Sequence, residues 1–217
     1  MNALIVFVKY PEPGKVKTRL GAEIGLECAA ELYELFMRRT FELCQIAGAD
    51  KVYVAYEPKE CQDQFAALIP EEFEQFSQEG DSLGERLQNA FQLVFNKNVD
   101  KVMALGSDSP TLPVNLVKSA FDRLDSVDLV LGPAEDGGYY LIGCKAPHPS
   151  LFQNIHWSSS SVLQSTLRRA QRLNLSYCLL PEWYDVDDRI SLRRAIQDDE
   201  SGRIGLCFSR HSERSSD

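Results

Sequence analysis

Histidine is scarce in this chain, three in 217 residues, and no two of the three stand at metal-ligand spacing. The six cysteines (Cys28, Cys44, Cys61, Cys144, Cys178 and Cys207) form no C-x-x-C pair. Most of them sit inside apolar patterns, where a reduced thiol behaves as a small hydrophobe. No apolar stretch reaches the roughly eighteen residues that a membrane span needs, and the first apolar run is too short for a signal-peptide core plus cleavage site. The expectation is a cytoplasmic protein with free thiols. Glycine is too sparse in the right places for a Gly-x-Gly-x-x-Gly fingerprint, and Gly14-Lys15-Val16-Lys17-Thr18 lacks the second glycine of a phosphate-binding Walker loop. No Ser/His/Asp arrangement stands out. Positive charge is also short, with 23 Lys and Arg against 32 Asp and Glu and a net charge of −9. Such a surface repels a phosphate backbone, so nucleic acid is not an expected partner.

Against that acidic background, the segment Lys9 to Gly21 carries Lys9, Lys15, Lys17 and Arg19 directly behind the apolar run Ala3 to Val8. Length and a hydrophobic content of 44% suit one full-sized core. Strand-length apolar runs recur at 3–8, 51–56, 73–77, 101–105, 128–131, 139–144 and 175–180. Helical periodicity fills the gaps: Leu26, Ala30, Tyr33, Met37, Phe41 and Cys44 make one apolar stripe from about 25 to 47. Further helices are expected near 61–69, 83–95, 114–124, 161–173 and 190–197. Ser82-Leu83-Gly84-Glu85 has capping-box spacing and marks a helix start. The alternation predicts an α/β fold, a mainly parallel sheet covered by helices on both faces. We expect one domain over 1–200 and a polar tail, 201–217, that frays and is partly disordered.

In open sheets of this kind ligands bind beyond the carboxyl ends of the strands, so the loops there carry the chemistry. One loop is the basic segment. The others are Gly106-Ser107-Asp108-Ser109-Pro110, Glu135-Asp136-Gly137-Gly138-Tyr139-Tyr140 and Asp185-Val186-Asp187-Asp188. Cations on one side and carboxylates on the other suit a phosphorylated substrate carrying a divalent metal, since Mg²⁺ takes one or two carboxylates and leaves its other positions to phosphate and water. Asp108 and Asp187 are the candidate ligands. Each acidic loop also has a structural use. Asp108, Ser109 or Thr111 can cap a helix near Pro113, Gly137-Gly138 can turn a hairpin, and Asp187 or Asp188 can cap the helix near Ile190. His156 beside Trp157 suits packing or a substrate wall, and Ser158 to Ser161 a helix cap.

Taken in order, Lys9-Tyr10-Pro11-Glu12-Pro13-Gly14-Lys15-Val16-Lys17-Thr18-Arg19-Leu20, Leu83-Gly84-Glu85-Arg86, Gly106 to Pro110, Glu135 to Gly143 and Asp185-Val186-Asp187 resemble a bacterial family of glycosyltransferase-A-like proteins. That family lies within the nucleotide-diphospho-sugar transferase superfamily, and some of its members are associated with radical-SAM or arsenosugar gene clusters. The likeness runs over residues 1 to 200. A weaker one, through Lys17-Thr18-Arg19-Leu20 and the late Asp-Val-Asp, reaches 2-phospholactate guanylyltransferase and the molybdenum-cofactor nucleotidyltransferases.

The resemblance implies a single GT-A-like, Rossmann-like domain, a three-layer αβα sandwich with a mainly parallel, mixed sheet. It implies Mg²⁺ or Mn²⁺ at Asp108 and Asp187, and a nucleotide held by Lys9, Pro13, Gly14, Lys15, Lys17, Arg19, Leu83, Gly84 and Arg86. An acceptor or sugar would sit at Glu135, Asp136, Gly137, Gly138 and Tyr139, and Lys17, Arg19 and Asp108 would act in the reaction. Two positions depart from the family pattern: Trp157-Ser158-Ser159 replaces Trp-Ser-Thr and keeps a hydroxyl, while Asp188 replaces a threonine. The second change leaves Asp185, Asp187 and Asp188 all open as the later metal ligand. The implied activity is transfer of a glycosyl group from a nucleotide-sugar to a small acceptor. Nucleotidyl transfer from a triphosphate with release of pyrophosphate, or nucleotide binding without turnover, would use the same loops.

Overall fold

The computed structural model describes residues 1–214. Seven strands, β1 (Asn2–Lys9), β2 (Lys51–Glu57), β3 (Glu74–Ser77), β4 (Lys101–Gly106), β5 (Leu129–Pro133), β6 (Tyr139–Cys144) and β7 (Tyr177–Leu179), form one sheet. Its order is β3-β2-β1-β4-β6-β5-β7. All pairings are parallel except those of β6, which runs antiparallel to both β4 and β5. The carboxyl ends of β1 to β5 and β7 therefore share one edge, where β6 begins rather than ends. Tyr139, the first residue of β6, comes to that edge for this reason.

Alternation along β1 sorts its side chains between two cores. Leu4, Val6 and Val8 face one layer with Met37 and Phe41 of α2 (Leu26–Ile46) and Phe121 of α5 (Val114–Arg123). Ala3 and Ile5 face the other layer with Leu87 and Phe91 of α4 (Leu83–Phe95) and Leu167 of α6 (Val162–Arg172). The expected sandwich is thus realised, with α3 (Gln62–Ala66) burying its Phe65 in the first face's core. Helix α4 starts where the Ser82 spacing placed it: Ser82 Oγ accepts from the Glu85 amide at 3.2 Å. The return bond differs, because the Glu85 carboxylate takes the Asp81 amide at 2.7 Å instead of that of Ser82. Among the described helices none is long and apolar enough to cross a membrane.

Two helices depart from expectation. α1 (Thr18–Ile24) begins inside the basic segment, which reads as loop through Arg19. Within the segment read as a polar tail, α8 (Arg203–Arg214) forms; residues 215–217 lie outside the described residues. α8 is held by burial of Ile204 with Leu20, Leu32, Phe36 and Leu192, a third cluster made by α1, α2, α7 (Arg189–Asp198) and α8. The Asp199 carboxylate also accepts the Ile204 amide at 2.8 Å and the Arg39 guanidinium at 2.5 Å. Ile204, Cys207 and Phe208 stand at helical spacing, but this short stripe is flanked by polar residues, and its partners include residues of α1 and α2 more than 150 positions away as well as α7.

Truncating Ile204 to Ala should cost about 2–4 kcal/mol, the usual range for a buried aliphatic side chain. Denaturant unfolding measures this, and a loss under 0.5 kcal/mol would mean that α8 is not part of the core.

Candidate active site

The third cluster sets the acidic half of the site. Tyr184 and Val186 are buried in it, so the intervening Asp185 and Asp187 are turned the other way, toward the carboxyl edge of the sheet. The Val186 amide donates to the Asp108 carbonyl at 2.9 Å, which locks the Asp185–Asp187 segment alongside the loop after β4. That loop is fixed in turn from α2. Arg39 Nε donates to the Pro110 carbonyl at 2.9 Å, and the Tyr33 hydroxyl bonds Ser107 Oγ at 2.8 Å while accepting the Lys9 amide at 2.9 Å. Tyr33 thus joins the basic loop to the acidic one.

Lys17 closes the arrangement. Its backbone is left-handed (φ 46°), rare for a residue with a Cβ, and its carbonyl accepts the Gly21 amide at 2.7 Å to start α1. The side chain, 4% exposed, places Nζ 2.5 Å from Asp108 Oδ1 and 2.8 Å from Asp187 Oδ1. Burial alone would depress the ammonium's pKa; the two carboxylates reverse that and hold it well above the ordinary lysine value. Asp185 takes a different partner, accepting Ser109 Oγ at 2.6 Å. Burial, then the nearby Asp108 charge, push its carboxyl up to about 6. Asp188 is structural: it caps α7 in a reciprocal box with Ser191. Of Asp185, Asp187 and Asp188, only Asp187 shares Lys17 with Asp108.

A cleft of about 690 Å³ opens over these groups, within the range of small-molecule sites. Its wall includes Lys9, Lys15, Lys17, Arg19, Leu83, Arg86, Asp108, Tyr139 and Asp187, so most of the expected site residues converge. The Lys15 and Arg19 side chains are exposed there and make no hydrogen bond or ion pair to another described residue. Lys9 and Arg86 differ, since Glu57 at the end of β2 holds both: Lys9 Nζ lies 3.2 Å from Oε1, and the Arg86 guanidinium donates to Oε2. Gln78, just past β3, lines the same end and spends its amide hydrogens on the Val8 and Ala55 carbonyls.

Several expected residues do not line the cleft. Pro13 and Gly14 shape the basic turn, with Gly14 at φ +77°. Gly84 admits Trp157, whose Nε1 would lie 2.6 Å from an added Cβ. Residues Glu135, Asp136, Gly137 and Gly138 form the β5–β6 connection, the hairpin alternative named for Gly137-Gly138. Glu135 pairs with Arg194 at 2.7 Å, Asp136 accepts the Gly138 amide at 2.8 Å, and Gly137 (φ +89°) lies against the Ser160 carbonyl. Of that loop, Tyr139 and Tyr140 reach the cleft wall. Tyr33, Glu57, Gln78 and Ser107 were missed as site residues. Glu57 was accessible to the rule already applied, for it follows directly on a predicted strand; Tyr33 reads as one more position of an apolar helical stripe.

The donor set fits a divalent ion that arrives with other ligands. Asp108 and Asp187 are hard-oxygen donors with side chains 45% and 51% exposed, and Mg²⁺ or Mn²⁺ would complete its shell from phosphate and water. Among the described residues no three His, Cys, Asp or Glu side chains form a ready-made metal cage.

The raised proton affinity of Asp185 predicts a pH signature. Its folded value of about 6 exceeds the ordinary 3.8, so the folded state carries the cost of a desolvated charge above pH 6 and sheds it as pH falls toward 4. Asp185→Asn keeps an acceptor for Ser109 and should be more stable than the parent above pH 6, by up to about 3 kcal/mol, with the gap closing near pH 4. Unfolding curves at pH 4, 5.5 and 7.5 test it; a gap independent of pH contradicts the assignment.

Comparison with known proteins follows the same lines. Residues 40–159 match the family described as "Uncharacterized protein conserved in bacteria (DUF2064)". Among curated proteins none matches the sequence. A crystal structure from Desulfovibrio desulfuricans G20, described as a candidate nucleotide-diphospho-sugar transferase, is 33% identical over 97% of each chain, with a TM-score of 0.84. The inositol-1-phosphate CTP transferase of T. maritima is 16% identical over 98% of this chain and 97% of its own, at 0.58. Rv0371c of Mycobacterium tuberculosis H37Rv, in complex with manganese, is 12% identical over 90% of this chain and 98% of its own, also at 0.58. These last two share the fold alone. The protein therefore belongs to the bacterial DUF2064 family and carries the fold of the nucleotide-diphospho-sugar transferases.

Proposed function

We propose that the protein is a metal-dependent transferase that moves a glycosyl group from a nucleotide-sugar to a small acceptor. The observation that carries this reading is that the exposed Lys15 and Arg19 side chains line the same cleft as the Asp108 and Asp187 carboxylates bridged by Lys17. Its cations bind a polyphosphate, and its carboxylates give that polyphosphate's counter-ion a place. The similarity to the Desulfovibrio protein supports the sugar-nucleotide form of the donor.

The residues divide the donor between them. Lys15 and Arg19 hold phosphate oxygens as charge-assisted partners, and the buried Lys17 orients Asp108 and Asp187 toward the same space. When bound at those aspartates, Mg²⁺ or Mn²⁺ supplies charge neutralisation at the departing diphosphate. Strands β4, β1 and β2 lie in that order at about 4.8 Å spacing, so Glu57 and Arg86 stand roughly 10 Å from the acidic loop. That span suits a nucleoside end lying over β2 with its phosphates over β1 and β4. Leu83, exposed at the start of α4, offers the base an apolar face. The acceptor takes the opposite half, against Tyr139 and Ile142 of β6. Of the residues expected at the acceptor, Glu135, Asp136, Gly137, Gly138 and Tyr139, it is Tyr139 that keeps this role, as the one that lines the cleft.

Nucleotidyl transfer is the second reading. It is favoured by Lys15 and Arg19 together, since two cations without protein carboxylates match the greater charge of a triphosphate. Incubation with Mg²⁺ and each nucleotide-sugar or triphosphate separates the two: release of nucleoside diphosphate supports glycosyl transfer, and release of pyrophosphate supports nucleotidyl transfer. Binding without turnover across donors and acceptors would mark a non-catalytic nucleotide-binding module and overturn both.

Arg19→Ala and Lys15→Ala should each weaken nucleotide binding about tenfold, near 1.4 kcal/mol, with the fold intact. Calorimetric titration with unchanged affinity would remove them from the phosphate site. Asp108→Asn should abolish the metal-dependent part of donor affinity; a variant that still binds the Mg²⁺–nucleotide normally would place the ion elsewhere.

A further inference from the structure

Lys17 sits between the two candidate metal ligands. One ammonium bridges Asp108 Oδ1 and Asp187 Oδ1 at 2.5 and 2.8 Å, contacting the same two carboxylates that serve as the candidate ligands. The side chain is almost fully buried, and its backbone is pinned in a left-handed turn that begins α1. It is not a surface lysine that can swing into solvent. Displacing it from both carboxylates without replacement would leave a buried ammonium unpaired, which is costly.

A free dication approaching Asp108 and Asp187 therefore meets a fixed positive charge within about 3 Å of the oxygens it must bind, and the two cations repel in a weakly screened setting. A dication that arrives already chelated by a polyphosphate does not face this obstacle. The phosphate oxygens offer Lys17 a new anionic partner as the carboxylates pass to the metal, so each charge stays paired through the exchange. Lys15 and Arg19, exposed at the cleft wall, add to the draw on the polyphosphate.

We propose that Lys17 makes the Asp108/Asp187 pair selective for a metal–polyphosphate chelate over the free metal ion, acting as the pair's resident counter-ion until the nucleotide arrives. This deepens the transferase reading and rests on it for the identity of the chelate. Lys17 is a specificity-determining residue in this role because it sets the form in which the metal is accepted, independently of base, sugar and acceptor. By linkage, whatever factor the polyphosphate adds to metal affinity is returned as the same factor in polyphosphate affinity.

The experiment measures Mn²⁺ binding by calorimetry and by electron paramagnetic resonance, with Mn²⁺ alone and then with a Mn²⁺–nucleoside diphosphate complex. Four proteins are compared: wild type, Lys17→Met, Lys17→Gln and Lys17→Arg. Wild type should bind Mn²⁺ alone at least tenfold more weakly than Lys17→Met and Lys17→Gln, which leave the carboxylates uncovered. Lys17→Arg keeps the charge and should stay weak. Thermal melting identifies any variant that fails to fold. It also gives a readout on wild type by itself, whose melting temperature should rise with the Mn²⁺–diphosphate complex and stay put with Mn²⁺ alone. Equal Mn²⁺ affinity in wild type and Lys17→Met, or a wild-type melting temperature raised as much by the free ion as by the complex, overturns the proposal. If the complex binds no variant and not wild type, it is the transferase reading that fails. If nucleotide binds through Lys15 and Arg19 while Mn²⁺ alone binds wild type tightly, that reading stands and the role given to Lys17 falls.

Discussion

The Lys17 ammonium between Asp108 and Asp187 is the contact on which the site depends. It joins three parts of the chain that are up to 170 residues apart: the turn after β1, the loop after β4 and the segment before α7. Without the lysine, two carboxylates would face each other across a partly enclosed cleft and repel. Without the carboxylates, a buried ammonium would be stranded. Each side is tolerable because of the other, and Val186 N–H on the Asp108 carbonyl keeps the two acidic segments in register.

The sheet decides what stands around that contact. Parallel order places the loops after β1, β2, β3 and β4 side by side, while the reversed β6 contributes its first residue rather than its last. As a result the cleft is lined by the charged Lys15, Lys17, Arg19, Asp108 and Asp187 and also by Tyr139 and Ile142 of β6. Glu57 draws Lys9 and Arg86 toward the far end, away from the acidic pair. Four cations that look equivalent along Lys9 to Arg19 therefore split into three kinds: one tied to Glu57, one bridging carboxylates, and two free at the wall.

The glycines show a different division of labour. Gly84 and Gly137 stand in motifs that resemble binding loops, yet both are needed where another part of the chain comes too close for a Cβ, Trp157 in one case and the Ser160 carbonyl in the other. A motif can persist because the fold requires it next to the ligand, without touching the ligand. Glu57 and Tyr33 are the converse: neither belongs to a motif, and both organise the cleft.

Much of this was legible from the residues alone because strand and helix periods are local. The seven strands, helices α2 to α7 and the Ser82 cap follow from alternation and spacing, and the rule that ligands gather beyond strand ends then selects the loops with Lys17, Asp108 and Asp187. Tertiary structure alone decided which carboxylates share the lysine, that Glu57 claims Lys9 and Arg86, and that Ile204 of α8 is buried against α1 and α2. Those outcomes depend on distances between residues far apart in sequence and on burial that reverses a side chain's usual preference for water. Neither leaves a periodic trace in a single chain.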